Sequence, residues 1–376
     1  MVLAALLVAA AALQNGAGAT FDPLVRDGIT RGAYPGAVLV IGRHDTILYA
    51  GAYGRLTWKP SGALVSAEST LYDLASVTKV VGTTTALMLL VERGRLNLDA
   101  PVKQYVPEFA GAGTAGITVR QLLNHTSGLR GTLPLYRDTK TRDEALRLVF
   151  DASPIVTPGS RVIYSDLNAI LLGEIVARLS GEPLETFVTR EVLEPFGLRQ
   201  TLYRPAKSLQ RRIAPTNLWH GVPIAGVVND PNAARLGGVA GHAGLFGTAL
   251  DLGRFARIML AGGVTPEGRR VLKKATVQSF TAVSVHARRG QSARALGWQA
   301  LPTDEEESSA GHLFGPRSYG HTGWTGTSIW IDPDRDLFVV LLTNRAFAPR
   351  ARRPFTVLKE VRGRVADAAA RMIDGR

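Results

Sequence analysis

Ser76 and Lys79, in the stretch Leu74-Ala75-Ser76-Val77-Thr78-Lys79-Val80, are the only serine and lysine in the chain spaced as S-x-x-K. Three residues apart on a helix, they lie one above the other on the same face. A serine in the first turn keeps its backbone N–H unpaired and pointed at whatever binds there. A lysine one turn on, kept partly dry, can lose its proton near neutral pH and help deprotonate the hydroxyl. That is the chemistry of a serine nucleophile. S-x-x-K also arises by chance in many chains, so residues further along must decide. Tyr164, in Tyr164-Ser165-Asp166, stands just before a helix start, where a phenol can move protons or make one structural hydrogen bond. His321-Thr322-Gly323-Trp324 leads into a hairpin and offers a strand edge. His125 is a candidate base, but a histidine tying a helix end to a turn is the commoner case.

The elements that must hold these residues follow from the patterning. Ala37 to Gly42 and Thr46 to Ala50 read as a hairpin, and Ser328 to Asp332 with Leu337 to Thr343 as a second. From Ser76 to Arg93 the period becomes helical, ending on Arg93-Gly94. Thr83-Thr84-Thr85 is poor helix material, so burial on several sides must hold that helix. Ile117 to Leu123 reads as a short helix. Ser165 is placed to cap another, whose stripe Leu167, Leu171, Ile175 and Leu179 ends at Gly181. The glycine-rich run 237–247 lacks a Gly-Lys-Ser/Thr, so it reads as a loop crossing close to other backbone, not a phosphate cradle. Asp251 to Leu260 and Pro354 to Met372 read as helices. Strands at both ends and helices between them suggest a sheet assembled from the two chain ends.

With 376 residues, 45% hydrophobic and 20% charged, the chain has the composition of a globular protein of one large or two medium domains. It has no cysteine, which excludes disulfides, thiolate metal sites and a cysteine nucleophile. Without an H-x-x-x-H cluster a zinc hydrolase is poorly supported, and no metal or cofactor is expected. The net charge of +13 is scattered arginine without interleaved aromatics. It suggests a solvated basic surface able to approach anionic cell-wall polymers; no nucleic-acid partner is expected. Residues 1–19 combine an apolar run with Ala17-Gly18-Ala19, the pattern of a signal peptide, although no Lys or Arg precedes the run. The expected location is the periplasm or outside the cell, with no membrane-spanning segment in the mature chain.

Ser76/Lys79, Tyr164 and His321-Thr322-Gly323, in that order, resemble the penicillin-recognising serine hydrolases. The resemblance is closest to the branch of class C β-lactamases, D-Ala-D-Ala carboxypeptidases and family VIII carboxylesterases, and runs from about Pro35 to Asn344. It implies an α+β fold of the β-lactamase/transpeptidase type. An antiparallel sheet with flanking helices (20–80 and 295–376) would be interrupted by a mostly helical domain (81–294). By the same resemblance Ser76 is the acylated nucleophile, while Lys79 and Tyr164 share the proton work. His321 and Thr322 would contact a substrate carboxylate or carbonyl, and the backbone N–H groups of Ser76 and Trp324 would form the oxyanion hole. Gly323 would keep the strand edge clear for an extended substrate. Two positions depart from the family. Asp166 replaces an asparagine, so an acceptor-only carboxylate stands where an amide could donate, and it favours a charged Lys79. His321 replaces a lysine, as in peptidases and esterases. The expected function is hydrolysis of small esters, amides or D-amino-acid peptides through an acyl-enzyme. The alternatives are a true β-lactamase and a penicillin-binding sensor that does not turn over.

Overall fold

The computed structural model describes residues 18–288, 292–302 and 308–375. The expected leader therefore falls almost wholly outside the described residues, and Gly18 and Ala19 belong to a helix over 18–30. The main sheet has six strands in the spatial order Ile47–Gly54, Gly36–Gly42, Leu337–Thr343, Ser328–Asp332, Tyr319–Thr322, Gln299–Ala300. Both expected hairpins are present, and antiparallel pairing joins them, from Ala37 opposite Thr343 to Gly42 opposite Phe338. Gly36–Gly42 and Leu337–Thr343 are buried along their whole length, which is why both read as continuous apolar runs instead of alternating ones. One face of the sheet is covered by helix 18–30, through Phe21 and Val25, and by the terminal helix Pro354–Asp374, through Leu358, Val361 and Val365. The other face receives helix Ala249–Leu260, where Gly253 lets the backbone approach Val40 and Phe338.

The helical middle follows the sequence pattern closely. Val119–Leu123 is fixed by a reciprocal cap between Thr118 and Gln121. Asp166–Ser180 buries Leu167, Leu171 and Ile175 and ends at Gly181 in the left-handed conformation. Ser165 does occupy the N-cap position, but its hydroxyl makes no cap; it donates to the Arg130 carbonyl at 2.7 Å instead. Two small sheets draw strands from the segment expected to be helical (81–294), one of them also taking a strand from before it. Tyr72–Asp73, Leu245–Gly247 and Leu202–Tyr203 form one, and the hairpin Asn217–Trp219/Val222–Ile224 forms the other. That hairpin turns on His220-Gly221, both at positive φ (46° and 78°), the geometry a two-residue turn demands.

The central helix is irregular. It opens with a tight turn, Ala75–Val77, widens over Lys79–Thr84 to i→i+5 hydrogen bonding, and becomes α-helical only over Thr85–Glu92. Such wide turns gather at functional sites. The awkward threonines are satisfied by hydrogen bonds: the Thr83 hydroxyl donates across to the Gly241 carbonyl at 2.8 Å, and that of Thr85 back along the helix to the Val80 carbonyl at 2.8 Å. Among the described residues, Ala75–Glu92 is the one stretch long and apolar enough to cross a membrane, and 83% of it is buried inside the molecule. It is a core helix.

Candidate active site

Ser76 sits on a turn clamped from three directions. Ala75 is held at φ 47°, a strained value for a residue with a side chain. The buried Asp73 carboxylate accepts the Ala75 N–H at 2.8 Å and the Asn229 N–H at 2.6 Å. Burial, and then the nearby Asp230 charge, push that carboxyl up to about 6, against the pull of the two backbone donors. From the strand side, the hydroxyls of Thr325 and Thr327 donate to the Asp73 and Leu74 carbonyls at 2.6 and 2.9 Å. From below, the Leu74 N–H bonds to the Leu245 carbonyl at 2.9 Å.

Lys79, 3% exposed, donates to Ser76 Oγ at 2.9 Å and to the His242 carbonyl at 3.1 Å, and its Nζ lies 2.8 Å from Asp166 Oδ1. Burial alone would depress the lysine. The Asp166 carboxylate and the Tyr164 phenol beside it outweigh that and hold it above its ordinary value. Asp166 is raised by burial but more strongly lowered by its neighbours, Lys79 foremost and then His242. The resting pair is therefore an ammonium and a carboxylate. The glycine-rich loop completes this wall. A Cβ on Gly241 would stand 1.9 Å from the Ala169 carbonyl, so only glycine lets the loop pass helix Asp166–Ser180 closely enough to present the His242 carbonyl to Lys79. Within the same loop, the His242 side chain is buried and its Nε2 meets Asp230 Oδ1 at 3.0 Å. Burial opposes ionisation of Asp230, but the bond from His242 and its charge win, lowering that carboxyl to about 2. Sequence reading missed this pair and missed Asp73. The available signal was a histidine amid glycines, with no residue nearby to mark its partner.

Tyr164 is brought into the same space. Its ring centroid lies 5.0 Å from Lys79 Nζ, 5.5 Å from the Arg294 guanidinium, 4.7 Å from the His125 ring and 5.9 Å from the His321 ring. His125 ties elements together, as expected: its Nδ1 takes the Ser165 N–H and faces the Asn168 amide, each at 3.2 Å, and its carbonyl accepts from Ile163. Asn168 also meets the Ser127 hydroxyl at 2.7 Å, so its amide points away from the cleft.

The strand Tyr319–Thr322 forms the opposite wall. His321 is buried; desolvation first, then the charges of Lys79 and Arg294, lower its pKa to about 3, so the ring is neutral. Its Nδ1 lies 2.8 Å from the Thr322 carbonyl, an acceptor, which places the proton on Nδ1 and leaves Nε2 a buried acceptor without a hydrogen bond among the described residues. A neutral acceptor does not attract a carboxylate, which departs from the role expected of His321. The backbone N–H groups of Ser76 and Trp324 make no hydrogen bonds to the described residues, as an oxyanion hole requires. Gly323 has a different reason from the one expected. Its Cβ would collide with the Thr327 hydroxyl at 2.2 Å and the Leu74 carbonyl at 2.6 Å, so glycine allows the strand end and the nucleophile turn to touch. Lys79 thus gathers Ser76, Asp166 and Tyr164, Tyr164 reaches His321, and Gly323, which joins Thr322 to Trp324, abuts the nucleophile turn, so three distant stretches of the chain meet here.

The sequence profile of the β-lactamase family matches residues 21–362. The chain belongs to the β-lactamase family. It is 32% identical to a protein of Escherichia coli O157:H7 provisionally named a D-alanyl-D-alanine carboxypeptidase, over 85% of this chain and 80% of that one. It is also 32% identical to the N-acetylmuramyl-L-alanine amidase of Bacillus subtilis, over 87% of this chain and 81% of the other. Among solved structures, EstCE1, a hydrolase with promiscuous acyltransferase activity, superposes with a TM-score of 0.75 at 24% identity, over 96% of this chain and all of that one. Within the family of serine hydrolases to which it belongs, this member has a cleft whose histidine is uncharged and whose lysine is paired to a carboxylate.

Proposed function

We propose that the protein hydrolyses D-amino-acid peptides and small esters or amides through an acyl-enzyme on Ser76, with β-lactams as slow side substrates. The observation that carries this reading is Lys79 Nζ, 2.9 Å from Ser76 Oγ and fixed from behind by Asp166 at 2.8 Å. Asp166 holds Lys79 as an ammonium, so the base toward Ser76 is the Tyr164 oxygen, whose ring lies beside that charge and the Arg294 guanidinium. Ser76 oxygen attacks the carbonyl, its proton passes to the Tyr164 oxygen, and the negative charge on the carbonyl oxygen is met by the N–H groups of Ser76 and Trp324. Tyr164 returns the proton to the leaving group as the scissile bond breaks. Water then replaces the leaving group, and the same steps in reverse free Ser76. The relatives' names, a carboxypeptidase and an amidase, support amide substrates. Efficient β-lactam turnover is disfavoured because Asp166 offers no amide donor and His321 no cation. The leader-like start (1–19) and the positive charge support action in the periplasm or outside the cell.

The test gives wild type and Ser76→Ala a p-nitrophenyl butyrate, a chromogenic cephalosporin and a D-Ala-D-Ala peptide. Loss of at least about 10³-fold in the variant is expected on every substrate that wild type cleaves; equal rates for both proteins would remove the reading. A second reading is favoured by the Asp166–Lys79 pair itself. A lysine locked in its charged form could leave the acyl-enzyme intact, making the protein a penicillin-binding sensor. A stable penicillin adduct by intact-mass spectrometry, with no product released, would select that reading.

A further inference from the structure

A cleft of about 490 Å³ lies against the nucleophile turn, and the steps proposed above make no use of it. Tyr136 and Trp324 form its aromatic walls, 47% and 66% exposed, and Asn217, Asn229 and Arg345 lie between them. It is continuous with the site at two points. Trp324 follows Gly323 directly and contributes its N–H to the oxyanion position, while the Asn229 N–H is held by Asp73 beneath Ser76. The cleft is also built to keep its shape. The Tyr136 N–H is pinned to Asn232 Oδ1 at 3.1 Å, and the Asn229 amide donates to the Thr216 carbonyl at 3.2 Å.

Arg345 is the feature that needs explaining. It is only 6% exposed, and its Nε and Nη2 both donate to the Trp324 carbonyl, which leaves Nη1 without a hydrogen bond to the described residues. Its guanidinium lies 4.7 Å from the Trp324 ring centroid and 5.5 Å from that of Phe355. No residue lining the cleft is acidic, and burial, unopposed by any carboxylate, lowers this arginine's pKa. Arginine is still protonated at neutral pH, so a cation has been taken out of water with ring faces and one carbonyl in place of a counter-ion. Burying a charge in that way is costly unless something pairs with it. A planar guanidinium with an unused N–H, recessed between two aromatic walls, matches a carboxylate. The volume is that of a small-molecule subsite.

We infer that this cleft is a subsite for the carboxylate-bearing, extended part of a peptide substrate, read by Arg345 and flanked by Tyr136 and Trp324. The inference rests on the hydrolytic reading above and deepens it: an acyl group on Ser76 extends past Trp324 and places a carboxylate at Arg345. The enzyme is then selective for acidic peptides over neutral ones of the same length.

The experiment uses two D-Ala-D-Ala peptides identical except that the acyl segment carries either a free carboxylate or its carboxamide. In wild type, kcat/KM is expected to favour the acid by tenfold or more. Arg345→Met brings the ratio close to one, mainly by raising KM for the acid, and Arg345→Lys keeps part of the preference. Because both peptides are cleaved at the same serine, the ratio is insensitive to how much of a variant is folded. Tyr136→Ala, at an exposed position, raises KM for both peptides and leaves their ratio unchanged. Calorimetric binding of the two peptides to Ser76→Ala separates the subsite from the chemistry. Preferential binding of the acid, with neither peptide cleaved by wild type, sustains the subsite and removes the peptidase part of the hydrolytic reading. Cleavage of both peptides at equal rates by wild type, or an acid preference that survives Arg345→Met, overturns the subsite and leaves the hydrolytic reading standing.

Discussion

On the helical wall of the cleft, polar groups are paired: the Lys79 ammonium with the Asp166 carboxylate at 2.8 Å, and the His242 ring with the Asp230 carboxylate at 3.0 Å behind them. On the strand wall the polar atoms are neutral and wait without partners among the described residues. His321 is uncharged with a free Nε2, Thr322 is half-buried, and the Trp324 N–H has no partner among the described residues. The two walls divide the labour. A paired, buried network fixes where the proton-handling groups stand, whereas unpartnered donors and acceptors on a strand edge wait for a substrate to complete them. Stability is therefore invested in the first wall and selectivity in the second.

Breaking the helical wall gives the largest effects. Lys79→Met leaves the Asp166 carboxylate without its cation. The expected loss is about 10³-fold in kcat/KM and about 3–5 kcal/mol of stability, read by steady-state kinetics and denaturant unfolding. The double variant Lys79→Met/Asp166→Asn recovers most of the stability and none of the activity; recovery of both would show that the pair serves folding alone. Asp166→Asn by itself removes the charge that holds Lys79 protonated, so burial then lowers the lysine, and an amide donor returns to the cleft. Cephalosporin turnover relative to ester turnover is expected to rise about tenfold, the worth of one added hydrogen bond. The pH dependence follows in sign. Asp166 is depressed in the folded state, so its stabilisation is present above its ordinary value of about 3.9 and is lost as pH falls through the lower folded value. The difference in unfolding midpoint between wild type and Asp166→Asn therefore shrinks on acidification below about pH 4; a difference constant down to pH 2 would contradict the pairing.

The strand wall gives smaller, sharper effects. His321→Gln is expected to lower kcat/KM about five- to tenfold through loss of one acceptor. Because His321 is already neutral from about pH 3 upwards, the rate profile between pH 5 and 8 keeps its shape. A profile that loses an inflection near the ordinary histidine value of about 6.5 would show that the ring is charged in the working enzyme.

How much of this could be read from the chain alone depended on whether a feature is local. The S-x-x-K spacing, the two hairpins, the Leu167–Ile175 stripe and the close-passing glycine loop are written in adjacent residues, and so were visible. The hairpin at 217–224 was locally written as well, but His220-Gly221 stands where an asparagine or aspartate would have announced the turn. Other features are not local at all. Nothing near Asp73 says that it will hold Asn229, 156 residues away, and nothing near Gly323 says that the Leu74 carbonyl will lie against it. The residue type was legible at Gly323 and the reason was not, because a glycine kept for a ligand and one kept for another backbone look identical in sequence. Ser165 illustrates the same limit: its position at a helix start was correct, but a carbonyl from the 130 region competed successfully for its hydroxyl.

The strand Leu337–Thr343 lies between Gly36–Gly42, near one end of the chain, and Ser328–Asp332, near the other. Until that late segment exists, the early hairpin has no neighbour on its inner edge, and the wall bearing His321 has nothing to lean on. A chain cut before Leu337 would thus lose the strand that joins the two hairpins, whatever catalytic side chains it retains.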